Sequence, residues 1–457
     1  RHHSACGGRM REMQDGLNFI IEGGTPLTGS VETSRSKNGA VALLAASLLN
    51  SGTTTLRRVP KIEEVNRLVE VLCSIGVSVE WLAPSGVEGE GSTLRITPPA
   101  DITLDTIDKA AATKTRSILM FIGPLLHRFT TFELPQSGGC TLGLRSVRPH
   151  LFALEKFGVA IDALNDRFAV SHDGLHGAEV VLYESSDTAT INALLAAARI
   201  PGESVIKYAS ANYQVQEVCG FLRALGVVVS GVGTTTLTIV GAEDISEDIS
   251  YTVAEDPTDA MFFIAAAAVT KSAITVRAAP IEFLEVELFL LEKMGLSFTS
   301  DNPRVSENGI TKLVDLHFEP SELTAFPEKV HPRPYPGGVN IDNLPFFAAI
   351  ALVANGTTLI HDWVYEKRAI YYTELDRLGA STQLMDPHRI AIEGPTKLKA
   401  GEVICPPALR PATIILVAML AAPGRSTLRS VYSINRGYED LVARLSALGA
   451  SITSSGE

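Results

Sequence analysis

The chain has 457 residues, 46% of them hydrophobic and 20% charged, which suits a soluble globular protein of about two to three domains. Its net charge of −12 excludes a general affinity for nucleic acid or for acidic membranes, so any anion site has to be a local cluster of cations. No membrane span is expected, because the longest apolar runs, such as "MFFIAAAAV" at 261–269, reach about half of one.

The opening "RHHSACGGRM" (1–10) reads as a tag remnant and is set aside for the fold. No stretch reads as a signal peptide, and five scattered cysteines, Cys6, Cys73, Cys140, Cys219 and Cys405, predict free thiols in a reducing cytoplasm. An apolar helix is predicted at 40–49. The stretch leading into it, "TSRSKNGA", carries Arg35 and Lys37 at the helix end that ordinarily attracts acids.

Residues 51–81 then follow one plan: a small-residue turn, a short β-prone run, and a helix closed by glycine. On that helix Ile62, Val65, Leu68, Val69, Leu72 and Ile75 share a face. The plan returns at 128–161 (with a longer central loop), 202–229, 271–298, 356–382 and 424–452. The closing glycines, Gly76, Gly158, Gly226, Gly295, Gly379 and Gly449, suit the left-handed position after a helix. A very apolar helix is predicted before each unit, as at 40–49, 189–198, 260–269 and 346–353. Six β/α units with paired helices predict an α/β or α+β protein of two globules, three units in each.

Two units open their helices with acids (Glu63 and Glu64; Glu282 and Glu285), the ordinary choice. Three others place Arg145, Arg368 and Arg436 at the strand-to-helix turn. Arg410, just before Pro411, reads as the cap of another apolar helix; Arg116 and Lys37 open two more. Singly, each arginine is consistent with a solvated surface residue. Together they predict one site between the globules for a small polyanion, because helix N-termini and guanidinium forks both hold phosphate or carboxylate. No GxxxxGK[ST] loop, strand followed by GxGxxG, HExxH or paired CxxC is present, so a metal site has no sequence support. Cys140, after Gly138 and Gly139, is open to two readings: a small buried hydrophobe, or a thiol made reactive by Arg145 and Arg148. Asp342 in "NIDNLPFF" reads equally as a helix cap or as a functional carboxylate.

The strings "SKNGA", "TRSILMFIGPLL", "GGCTLGLR", "PYPG" with "NIDN", "EKRA", "LRPA" and "INRGYE" occur in this order from about Ile20 to the C-terminus. Together they resemble the enolpyruvyl transferases, and within them the MurA branch, which acts on UDP-N-acetylglucosamine. The resemblance implies an EPSP synthase/MurA-like fold of two inside-out α/β barrel domains, each of three βαβαββ units. The first domain would span 37–254, and the second 11–36 plus 255–457. It implies transfer of the enolpyruvyl group of phosphoenolpyruvate to a hydroxyl by addition and elimination, with release of phosphate. Phosphoenolpyruvate is then a co-substrate, and no cofactor is called for.

Residue by residue, Lys37, Arg116, Arg145, Arg368, Arg410 and Arg436 match basic residues that hold phosphoenolpyruvate and its adduct. Asn38, Arg145, Arg148, Ser186 and Asp342 fall on the acceptor side, with Asp342 matching a general base. Cys140 matches a mobile-loop cysteine that delivers a proton to the C3 methylene and is alkylated by fosfomycin. The departures gather around the acceptor: "RSVRPH" replaces the family's "RPVDLH", "ESSDTATIN" replaces "KVSVGATEN", "ANYQ" replaces "REPE", and an arginine expected near Pro257 is missing. UDP-N-acetylglucosamine heads the expected acceptors, with UMP or another nucleotide second. An RNA-binding or other polyanion-binding module without chemistry is the non-enzyme alternative, opposed by the acidic total. Oligomeric state cannot be read from the sequence.

Overall fold

A helix that is apolar on every side has to be buried whole. In the computed structural model, which describes residues 3–4, 16–83, 91–136, 146–332 and 338–456, the apolar helices are buried in this way. All thirteen residues of Pro257–Val269 are buried, as are residues 39–46 of Lys37–Ala46 and 189–197 of Asp187–Ala197. Around them lie six sheets of three to five strands. Strands such as Arg389–Gly394 bury alternate residues, one face toward the helices and one toward solvent. The layering is the inside-out α/β arrangement: helices at the centre, sheets outside.

Buried apolar residues form two separate clusters. One runs from Ala40 to Val253; the other joins Phe19–Val31 to residues 260–452. Three sheets belong to each. The N-terminal segment reaches the second cluster because Leu17–Gly23 pairs antiparallel with both Gly424–Arg429 and Ser451–Gly456, and Thr28–Glu32 pairs parallel with Ala273–Pro280. In the same way Ile249–Thr252 pairs parallel with Thr54–Arg57 and completes the first sheet.

The six glycines predicted to close helices all have left-handed φ, between 86° and 101°. The last unit differs from its expected single helix: it is split into Tyr432–Asn435 and Leu441–Ala447. The break holds Gly437, where a Cβ would stand 2.3 Å from Leu409 Cδ2. Residues 116–121 and 368–378 wind as 3₁₀ helix instead of α. Two further expectations need correction. His3–Ser4, within the stretch set aside as a tag remnant, pairs antiparallel with Trp81 and Glu80 as an edge strand. Cys73 is disulfide-bonded, whereas Cys219 and Cys405 are free and buried, because spacing along a chain does not say which thiols meet in space.

The clusters are joined where two segments run antiparallel. Arg35 bridges Glu255, Ser36 N donates to Ala254 O at 2.8 Å, and Asp256 N donates to Ser34 O at 2.8 Å. Glu217, on helix Tyr213–Ala224, lies against this junction; its Oε1 accepts Ala254 N at 2.6 Å. Its Oε2 faces Gly39, where a Cβ would come within 2.0 Å, so the glycine of "SKNGA" is what lets the two helices approach. Burial, only partly opposed by the Ala254 bond, pushes the Glu217 carboxyl up to about 8.

An acid whose folded value exceeds its unfolded one takes up a proton on folding. Its contribution to stability is full below about pH 4.5 and is lost as pH rises toward about 8. Glu217→Gln keeps an acceptor for Ala254 and removes the proton. Thermal unfolding across this range should show the variant with a flatter pH dependence and a Tm above wild type at pH 8. An identical slope in both proteins would contradict a neutral Glu217.

Candidate active site

A cleft of about 1140 Å³ is lined by residues of both clusters. Its floor starts at the junction. Ser36 caps helix Lys37–Ala46, its Oγ accepting Gly39 N at 2.8 Å, and so Lys37 becomes the first helical residue. Asn38 follows, with Nδ2 3.0 Å from the Tyr213 hydroxyl and 3.4 Å from Asp342 Oδ2 of the second cluster.

Glu64 stands among these cations. It belongs to the first turn of Glu63–Ser74, and in sequence it is an ordinary helix-opening acid. In space its Oε1 accepts Thr115 Oγ1 at 2.5 Å and Ser117 Oγ at 3.2 Å. Its Oε2 lies 4.0 Å from Lys37 Nζ and 3.8 Å from Arg436 Nε, a residue of the other cluster. Burial works to raise the Glu64 carboxyl, but Lys37, Arg436 and the two hydroxyls outweigh it and hold the value below the usual range. Lys37 moves the other way: burial, with Arg436 and Arg410 nearby, lowers its ammonium against the pull of Glu64.

The remaining cations differ in how fully they are occupied. Arg368 is 1% exposed. It donates through Nε and Nη2 to the two oxygens of Asp362 at 2.5 and 2.9 Å, and through Nη2 to Ile341 O at 2.7 Å. Tyr365 lies 4.3 Å from its guanidinium carbon. Burial opposes its charge, yet Tyr372 and Asp362 raise its pKa. Arg410 donates Nη1 to the Tyr438 hydroxyl at 3.1 Å, with Nη2 3.8 Å from Asp342 Oδ2. Arg116 donates Nη2 to Ser146 O at 3.1 Å. Arg436 Nε is buried with no hydrogen-bond partner among the described residues.

Of the residues picked from sequence, Lys37, Asn38, Arg116, Ser186, Asp342, Arg368, Arg410 and Arg436 line this one cleft. Arg148 is exposed and is absent from the lining, so it is not brought to the others. Cys140 and Arg145 lie outside the described residues. Two local expectations change. Arg410 is the second residue of Leu409–Ala421, whose cap position is Ala408, and Arg436 follows the end of Tyr432–Asn435 instead of opening a helix. Asp342 does not cap the apolar helix Phe346–Ala351, which begins after Pro345. Sequence reasoning missed Glu64, and also His150, which is 2% exposed and lies 3.2 Å from both Thr188 Oγ1 and Asn192 Nδ2. No periodicity or motif marks either one.

Several cations around one buried carboxylate, with an unsatisfied guanidinium N–H, can hold a small ligand bearing phosphate and carboxylate groups. The model of the EPSP synthase (3-phosphoshikimate 1-carboxyvinyltransferase) family matches residues 21–445. The chain belongs to this family of enolpyruvyl transferases. It is 33% identical over 438 residues to a UDP-N-acetylglucosamine 1-carboxyvinyltransferase of Bradyrhizobium diazoefficiens, covering 95% of this chain and 97% of that one. It is 31% identical over 434 residues to a protein of the same name from Treponema denticola, covering 95% and 98%. Among solved structures, the enolpyruvyl transferase NikO from Streptomyces tendae superposes with a TM-score of 0.80 at 23% identity, covering 97% of this chain and 100% of the other. EPSP synthase from Acinetobacter baumannii gives 0.73 at 19%, covering 96% and 100%. These two establish the fold alone.

In this transferase the uneven occupancy of the arginines has consequences. Arg368→Ala leaves Asp362 buried without its partner, so it should unfold at markedly lower denaturant, by roughly 3–5 kcal/mol. Equal midpoints for variant and wild type would show that the pair is not structural. Lys37 has to be charged to hold an anion, and its ammonium is lowered from 10.5. Calorimetric titration with inorganic phosphate should therefore show affinity falling as pH rises, beginning below that value. Lys37→Arg should abolish the fall, since guanidinium keeps its proton. A fall of the same shape in both would assign it to another group.

Proposed function

We propose that this enolpyruvyl transferase moves the enolpyruvyl group of phosphoenolpyruvate onto a hydroxyl of a nucleotide-type acceptor, and that it does so in the cytoplasm. The supporting observation is the convergence of Lys37, Arg410 and Arg436 on the cleft, with Arg436 Nε buried and without a hydrogen bond among the described residues. Phosphoenolpyruvate carries its phosphate and its carboxylate on the same carbon, C2, and this cation set matches both.

In the proposed chemistry the acceptor hydroxyl oxygen bonds to C2 of phosphoenolpyruvate while C3 gains a proton. Asp342, 3.4 Å from Asn38 and 3.8 Å from Arg410, takes the hydroxyl proton. Cys140 is assigned the proton delivered to C3. The C2–O bond to phosphate then breaks, C3 gives up a proton, and the product is an enol ether plus inorganic phosphate. Charge on the departing phosphate is met by Lys37, Arg116 and Arg436, already fixed in place before it develops. No metal or cofactor enters this balance. The domains proposed for closure over the substrates are 37–254 and 11–36 plus 255–457, meeting at the antiparallel junction.

UDP-N-acetylglucosamine, the acceptor named for the curated relatives, is the first to assay. A smaller nucleotide such as UMP is the second reading, favoured by Glu184 in the cleft wall, where a pyrophosphate would meet a carboxylate. Phosphate release from phosphoenolpyruvate, measured with each acceptor, tests the transfer. Arg436→Ala and Cys140→Ala should each lower kcat at least tenfold in folded protein. Wild-type turnover in both variants would remove these residues from the reaction.

A further inference from the structure

Resting on that reading, we infer that the acceptor is donor-rich and carries no diphosphate: a nucleoside or amino sugar whose hydroxyl and amine groups face the cleft wall. Five stretches of the cleft lining, 182–188, 210–216, 282–287, 338–340 and 363–366, hold its carboxylates other than Glu64 and Asp342. Those segments contribute Glu184, Asp187, Glu282, Glu285, Glu287 and Glu366, and no lysine or arginine. All six lining cations, from Lys37 to Arg436, come from other segments.

Hydrogen-bond capacity points the same way. Several side-chain donors of these stretches are already used. Gln214 Nε2 and Asn212 Nδ2 donate to Asp187 Oδ2 at 2.7 and 3.1 Å, Ser210 Oγ donates to Asp187 Oδ1 at 2.5 Å, and Trp363 Nε1 donates to Pro332 O at 3.1 Å. Asn340 Nδ2 donates to Asn212 Oδ1 at 3.1 Å. The Asp187 bond fixes which end of the Gln214 amide is the oxygen. That Oε1 is buried and has no partner among the described residues, on a cleft-lining residue only 5% exposed. A buried acceptor left open asks for an N–H or O–H from the ligand. A diphosphate supplies only acceptor oxygens and negative charge, so it meets repulsion where an uncharged or cationic, hydroxyl-bearing group meets partners.

The test is calorimetric titration, in the presence of phosphoenolpyruvate, of UDP-N-acetylglucosamine, uridine and glucosamine into wild type and Glu184→Lys. Glu184 is exposed, so the variant is expected to fold. UDP-N-acetylglucosamine should bind wild type at least tenfold more weakly than the better of the other two, and Glu184→Lys should tighten it at least tenfold. Whichever of uridine and glucosamine binds better names the source of the donors. Tighter binding of the UDP-sugar to wild type, or no gain in the variant, overturns the inference. Failure of the transfer reading is seen separately: phosphoenolpyruvate alone would then give no heat, and no acceptor would release phosphate.

Discussion

The site depends on one buried carboxylate. Lys37 arrives from the first cluster and Arg436 from the second, and two cations brought into a partly dry cleft repel each other and lose hydration. Glu64, held by the hydroxyls of Thr115 and Ser117, places its free oxygen between them. Two of the other arginines have their own carboxylates: Asp362 holds Nε and Nη2 of Arg368, and Asp342 stands near Arg410. Arg368 is held by Asp362 and Ile341 O while still lining the cleft, and Arg436 Nε has no hydrogen bond among the described residues. A shared label of anion-binding arginine hides this division.

The second constraint is the joint. Lys37 and Asn38 come directly after the crossing of the two connecting segments, so the start of one helix is fixed relative to both clusters. Gly39 gives that helix room beside Glu217, and the neutral Glu217 avoids a buried charge next to Glu255 and Asp256. From there Asn38 reaches Asp342, and Asn212 reaches Asn340. Packing at the joint and geometry at the site are therefore one problem. A change at Gly39 or Glu217 acts on the cations without touching a ligand.

What was legible in the sequence follows from locality. Apolar helices, an amphipathic stripe and a terminal glycine are each set within a few residues, so six β/α units and their left-handed glycines could be read directly. The order of short strings from "SKNGA" to "INRGYE" carried the family. The finer positions were less legible: Arg410 lies one residue inside its helix, and Arg436 follows a helix instead of opening one, beside Gly437, whose close approach to Leu409 comes from another segment.

By itself, then, the sequence determined the repeated unit, the burial of its apolar helices and the presence of cations at unusual helix ends. All of these arise from neighbours along the chain. The tertiary structure alone decided that Glu64, an unremarked acid at a helix start, sits among those cations, and that Arg148 does not. It alone showed Gln214 with an acceptor still open among the described residues. Such properties depend on distances between residues hundreds of positions apart, and no local pattern encodes them.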